Sequence, residues 1–221
     1  MDKSELEQKQ QIVEAAIEVY LEDRPHFSMG RIAAQAQLER ADIYRHFPSK
    51  KAILKYYYYL CVLRYEAMVD EIEAFADFDL AEKFSNFVYT LFELLGEERE
   101  FVEETFEELI CRNTGKSQFL RQVEEVFAGF LAQSGALPIA EKAVPLLARE
   151  YLWLVRHWLD DDSQGAEQTL ALADKGIAFG AEALESRLLA KGLDLAKFLV
   201  NDKLPGFDAD GLLRRIKAGW R

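Results

Sequence analysis

Little in this sequence is suited to covalent chemistry. Only three histidines occur, His26, His46 and His157, and none belongs to an H-E-x-x-H pair or a Ser/His/Asp-type signature. Two cysteines, Cys61 and Cys111, lie fifty residues apart without a C-x-x-C or a Cys/His cluster. They indicate neither a disulfide framework nor a zinc site and read as buried thiols. There is no glycine-rich phosphate loop. We therefore assign no catalytic residue, no metal ligand and no cofactor, and an enzyme lacks the groups it would need. Long apolar runs are missing too. The longest, Tyr56 to Leu63, is far too short to span a bilayer, and the opening MDKSELEQKQQ is charged; a cytoplasmic chain with no membrane association is expected. Strand-like alternation is absent beyond the first third of the chain, so the expected class is all-α.

What is present is 221 residues that are 50% hydrophobic and 30% charged, enough for a sizeable core in a soluble globular protein. A net charge of −12 is the reverse of the usual nucleic-acid footprint, but it is unevenly spread. Residues 24–55 carry Arg24, Arg31, Arg40, Arg45, Lys50, Lys51 and Lys55 against Glu39 and Asp42, a local balance of +5, and residues 1–55 together are neutral. An acidic body behind a basic face either repels non-specific DNA or only confers solubility, and charge alone leaves both readings open.

That basic stretch has its own organisation. In Phe27 to Leu54, FSMGRIAAQAQLERADIYRHFPSKKAIL, Ser28 is placed to cap a helix, with Phe27 and Ile32 as a hydrophobic staple. Ile32, Ala33 and Ala36 recur at helical spacing, and after a turn at Gln37-Leu38 the apolar positions resume at Leu38, Ile43 and Phe47. Arg40, Ala41, Tyr44 and Arg45 are left outside, as in a helix-turn-helix that offers its second helix to the major groove. Pro48-Ser49 then ends one helix and caps the next. Lys50 and Lys51 follow, where the helix dipole disfavours cations unless an anion such as a DNA phosphate sits there. Lys50, the cap and Tyr44 are thus placed to clamp a phosphate backbone.

The run I-A-x-x-A-x-L-x-x-x-x-I-Y-R-H-F-P-S-K-K-A-I-L, preceded by a helix with Ile12, Val13, Ala15, Ala16 and Tyr20, resembles the DNA-binding domain of TetR-family transcriptional regulators. The resemblance covers about the first quarter of the chain and lies mainly in I-Y-R-H-F-P-S-K, which joins two helices at fixed spacing. It implies a ligand-responsive regulator, expected to be a repressor, that binds a double-stranded operator as a homodimer. It further implies DNA contacts from Ser28, Arg40, Ala41, Asp42, Tyr44, Arg45, His46 and Lys50. Two departures stand out. Gln37 replaces the usual turn glycine, so a wider turn is expected. Glu39 and Asp42 on the recognition helix repel phosphates but can accept from a cytosine amino group. The competing reading is a helical interaction protein that keeps the head without binding DNA specifically.

The expected architecture is a three-helix head, residues 1–50, and a helical body for ligand binding and dimerisation, residues 51–221. A long helix from Ser49 to about Ala74 joins them. The helix of about Glu97 to Cys111 carries seven glutamates, read as a solvated face. A kink or restart is expected at Pro145. The stripe Ala166, Leu170, Ala173, Ile177, Gly180, Leu184 and Leu188 is expected to face a second copy in a four-helix bundle, which would set two reading heads about 34 to 36 Å apart or further. The resemblance implies a ligand held inside the body. Phe84, Phe87, Phe106, Phe127, Tyr151, Trp153 and His157 are the candidate contacts for an apolar or aromatic effector, with His157 expected to be buried.

Overall fold

The computed structural model describes residues 3–112, 117–134 and 140–186. Among them are nine α-helices and no strand: α1 Lys3–Glu22, α2 Met29–Gln35, α3 Arg40–His46, α4 Lys50–Asp70, α5 Leu80–Gly96, α6 Arg99–Leu109, α7 Gln118–Gln133, α8 Val144–Leu159 and α9 Glu167–Glu185. None is long and apolar enough to cross a membrane. Leu188 and the 193–221 tail lie outside the described residues.

Local chemistry sets most helix ends. Ser28, Ser49 and Ser117 cap α2, α4 and α7 by accepting from the backbone N–H three residues on, which satisfies donors the helix cannot. Asp79 and Glu82 form a reciprocal capping box at α5, both bonds being 2.8 Å. The expected restart at Pro145 occurs: a 3-10 turn over Ala140–Ala143 gives way to α8, with proline in its first turn. At α9 the start is sharper. Gly165 and Ala166 both take positive φ, and Asp161 reaches across this bend to accept from the N–H and hydroxyl of both Ser163 and Thr169 at 2.6 to 2.9 Å. Those bonds hold the Asp161 carboxyl well below its ordinary pKa.

The α1, α2 and α3 helices form the head, with Ile12, Val13, Ala16, Ile32, Ile43 and Phe47 buried between them. α4 ends at Asp70, earlier than expected, and a short turn at Phe75–Asp77 follows. It packs on α1 at one end and on α5, α6 and α7 further along, so one continuous hydrophobic core runs from head to body. Two of its four consecutive tyrosines make the join. Tyr57 donates to Leu94 O at 3.0 Å, and Tyr58, fully buried, pairs with Thr105 Oγ1 at 2.7 Å.

The stripe on α9 is a correction. Ala166, Ala173 and Leu184 are buried and Leu170 and Ile177 half-buried within the chain, because α9 lies along α5. α5 buries nine side chains around much of its circumference, which leaves a face for α9. The stripe therefore seals the core of its own chain.

Candidate nucleic-acid interface and effector cavity

The reading head is built around a tight turn. Leu38 N–H donates to Ala33 O at 2.9 Å and Gln37 N–H to Ala34 O at 3.2 Å, the paired bonds of a Schellman C-cap. Gln37 takes the left-handed residue of that motif, φ +55°. The wider turn expected from its side chain does not form. Instead the chain keeps the tight geometry and carries the strain, roughly 1 to 2 kcal/mol for a residue with a Cβ. Gln11 of α1 anchors the turn by donating to Ala36 O at 2.9 Å.

Ile43 and Phe47 are buried, which turns Arg40, Ala41, Tyr44 and Arg45 to the exterior. Tyr44 is 54% exposed, well above what an aromatic ring needs for packing alone. Arg40 folds back across α2, where its guanidinium lies over Gly30 so closely that a Cβ there would displace it. Arg45 donates to Asp42 at 2.7 Å, which holds both side chains along the helix. Ser28 and Lys50 are exposed at the adjoining ends of α2 and α4. Lys50 Nζ donates to Phe27 O at 2.7 Å and lies 5.2 Å from the centre of the Phe27 ring. His46 differs from the other candidates. It is half-buried, with Nε2 2.9 Å from Gln8 Oε1 of α1, so helix 1 holds the ring away from the exposed face.

The basic count of the head overstates its free charge. Arg31 pairs with Glu22 and Asp23, both at 2.8 Å, and Arg24 pairs with Glu104. Lys51, expected beside a phosphate, turns to Glu108 at 2.9 Å. The α6 glutamates are thus more than a solvated face. Glu104 reaches the head and Glu108 the first turn of α4, Glu107 meets Arg156 of α8 at 3.2 Å, and Glu97, at the end of α5, binds Arg64 through both oxygens at 2.5 and 2.8 Å. The Arg64 hydrogen bonds lower the Glu97 pKa. Burial pushes both thiols, Cys61 and Cys111, up to about 12, so neither is a reactive thiolate.

In the body, α5, α7, α8 and α9 enclose a half-open cavity of about 320 Å³, within the range of small-molecule sites. Of the seven candidate contacts, Phe84, Phe127, Tyr151 and Trp153 line it. Phe87 sits one layer behind, edge-on to Phe127 and Tyr151 at 5.0 and 5.2 Å. Phe106 is a correction: it packs on Tyr58 and Phe119 because α6 turns towards the head, and it lies outside the cavity. His157 is a second correction. It is half-buried rather than buried and stacks on Trp153 with 5.5 Å between ring centres, and Trp153, 51% exposed, stands at the cavity mouth.

Sequence reasoning missed the α9 contribution, which includes Leu172, Ala173, Gly176, Ile177 and Gly180. A side chain on Gly180 would meet no atom within 4 Å, which was the signal: two glycines in an otherwise good helix leave room. The Tyr151 hydroxyl is buried without a hydrogen-bond partner among the described residues, at a cost of about 1 to 3 kcal/mol.

A helical head with an outward recognition helix, set on a helical body with a cavity, defines a helix-turn-helix DNA-binding protein. Comparison with known families agrees. Residues 12–57 match the bacterial regulatory proteins of the tetR family, and residues 83–199 match the tetracyclin repressor-like C-terminal domain. The chain belongs to the TetR family of transcriptional regulators and is a DNA-binding regulator. Its fold is similar to that of a TetR transcriptional regulator from Rhodococcus sp. RHA1, with a TM-score of 0.50 and 16% identity over 82% of this chain and 97% of that one. No curated protein sequence matches the chain.

Proposed function

We propose that the protein represses transcription as a homodimer, binding a two-fold operator through α3 and releasing it when a small molecule fills the body cavity. The observation that carries this reading is the exposed row Arg40, Ala41, Tyr44 and Arg45, backed by buried Ile43 and Phe47. In this reading residues 1–50 read DNA and residues 51–221 bind ligand and dimerise. Arg40 and Arg45 contact base edges, Asp42 is the candidate acceptor for a cytosine amino group, and Ser28, Tyr44 and Lys50 hold phosphates.

Dimerisation is assigned to the outer face of α8 and α9. Leu146 and Trp153 on α8, with Leu172 and Phe179 on α9, are exposed apolar side chains, Phe179 at 76%. Leu172, Gly176, Phe179 and Ala183 step by four, three and four, the spacing of a helix-packing seam. A path from cavity to head supports the release step. α8 lines the cavity and meets α6 through Arg156–Glu107, while α6 meets the head through Glu104–Arg24 and the first turn of α4 through Glu108–Lys51. A ligand can shift the spacing of the heads only by its preference for one arrangement over another.

A mobility-shift titration on DNA from upstream of the protein's own gene tests the DNA reading. Lys50→Ala and Tyr44→Phe are expected to weaken binding to all sequences alike, whereas Arg40→Ala and Arg45→Ala are expected to cost roughly 1 to 3 kcal/mol at particular base pairs. Unchanged affinity in all four variants would reject α3 as the reading helix.

A further inference from the structure

We infer that the body cavity is completed only in the dimer: the partner copy seats its Phe179 over the mouth, so that each ligand site is built from two chains. The inference rests on the reading in which the outer faces of α8 and α9 dimerise and the cavity binds the effector. The cavity opens as a cleft between those two helices, with Phe84 and Val88 of α5 and Phe127 of α7 closing it from behind. Among the described residues, the lining side that stays exposed marks its mouth: Glu150 and Trp153 on α8, Leu172 and Gly176 on α9. Trp153, Leu172 and Gly176 also belong to the seam assigned to the dimer. A copy docked on that seam therefore covers the mouth.

Two observations identify the occupant as a second copy. Members of the family act as dimers, and the face is complementary to itself. Phe179, 76% exposed, stands beside Gly180 and one helical turn after Gly176, and at both glycines a Cβ would meet no atom within 4 Å. In a two-fold interface the same patch meets itself, so the ring of one copy fills the hollow of the other. Phe179 does not line the cavity of its own chain, so its direct contact with a bound ligand comes only across the seam. A ligand roofed in this way touches both chains, and its preference for one packing of α8 and α9 biases how the two copies sit.

Mixed dimers of the full-length chain, isolated through two different affinity tags, separate action within a chain from action across the seam. The probe is N-phenyl-1-naphthylamine, an uncharged apolar dye that brightens on leaving water. Val88→Trp fills a cavity from behind, away from the seam, and its homodimer sets the background. In the first mixed dimer one copy carries Phe179→Ala and the other Val88→Trp. The open cavity lies in the Phe179→Ala chain and is roofed by an intact phenylalanine, so the dye should bind it with wild-type affinity. In the second, a wild-type copy is paired with a copy carrying both substitutions. Its open cavity lies in the wild-type chain without a roof, and binding should be weaker by roughly three- to tenfold, about half the worth of a fully buried phenylalanine. Thermal melts and light scattering check that each species is folded and dimeric.

Equal affinities in the two mixed dimers, or the reverse order, overturn the inference, as does a wild-type chain that is monomeric or binds no dye. Dimers that persist in Phe179→Glu place the seam elsewhere and overturn both the inference and the dimer reading. Operator binding measured with the dye present keeps the effector reading apart. The predicted difference without operator release leaves the two-chain site standing and removes the effector role, whereas release with equal affinities leaves the effector cavity and removes the roof.

Discussion

Gln37→Gly should stabilise the protein, although it removes a side chain. Gln37 sits at φ +55° in the Schellman turn that joins α2 to α3. A residue with a Cβ pays about 1 to 2 kcal/mol for that conformation, and glycine avoids it. Glycine also loses more chain entropy on folding, which returns roughly 0.5 to 1 kcal/mol of the gain. The side chain of Gln37 is exposed and makes no hydrogen bond among the described residues, so the net gain is about 0.5 to 1 kcal/mol, a rise in Tm of about 1 to 4 °C for a chain of this size. Ala34→Gly, three residues earlier and exposed in regular helix, is the opposite-sign control and should cost about 1 kcal/mol. Urea denaturation at fixed protein concentration measures both, and the continuous core carries the shift into the main transition. If Gln37→Gly destabilises as much as Ala34→Gly, the left-handed turn is not formed in solution and the geometry of the head is wrong.

Thr105→Val should cost about 1 to 3 kcal/mol in denaturation because it strands the buried Tyr58 hydroxyl, whereas Tyr58→Phe, which leaves the Thr105 hydroxyl donating to Phe101 O at 2.7 Å, should cost less, about 0.5 to 1.5 kcal/mol, and the double variant should cost less than their sum. Glu108→Gln should release Lys51 from its 2.9 Å ion pair. Stability should change by less than about 1 kcal/mol, while non-specific DNA binding tightens and its salt slope steepens by about one charge. Asp161→Asn should weaken the start of α9 in a pH-dependent way. The Asp161 pKa is depressed by the Ser163 and Thr169 hydrogen bonds, so its stabilisation is complete above the ordinary carboxylate value of about 4 and is lost as pH falls towards the folded-state value. Wild type and variant should differ in urea midpoint at pH 6, and the difference should be constant above pH 5 and narrow steadily as pH falls below about 4. Phe179→Glu should shift light scattering from dimer to monomer without loss of helical signal.

The head was legible because its determinants are local. The Ser28 and Ser49 caps, the buried pair Phe27 and Ile32, and the outward set Arg40, Ala41, Tyr44 and Arg45 all follow from spacing within a few residues. Gln37 was read as widening the turn because its strain was visible, whereas the compensation was not. Gln11, twenty-five residues away, and the buried Ile43 fix the tight form.

In the body, periodicity found the helices but not their neighbours. Which face of α5 receives α9 depends on nine buried side chains and long-range packing, so the α9 stripe was taken for an intermolecular seam. The same limit misplaced Phe106, whose helix turns towards Tyr58 and the head. It also hid the pairing of Glu104 and Glu108 with Arg24 and Lys51, residues far apart in sequence. Spacing put Trp153 and His157 together correctly, yet it could not tell that Trp153 stands at the cavity mouth rather than deep inside and that His157, stacked on it, does not line the cavity.

Selection of bound sequences from a random pool of duplex DNA tests the central claim, sequence-specific reading by α3 in a two-fold dimer. The account predicts an enriched palindromic motif whose half-site centres lie about one helical turn, 34 to 36 Å, or a multiple of it apart. It also predicts that the motif changes at defined base pairs in Arg40→Ala and Arg45→Ala. Recovery of no motif, or of one unaltered by both substitutions, would contradict it.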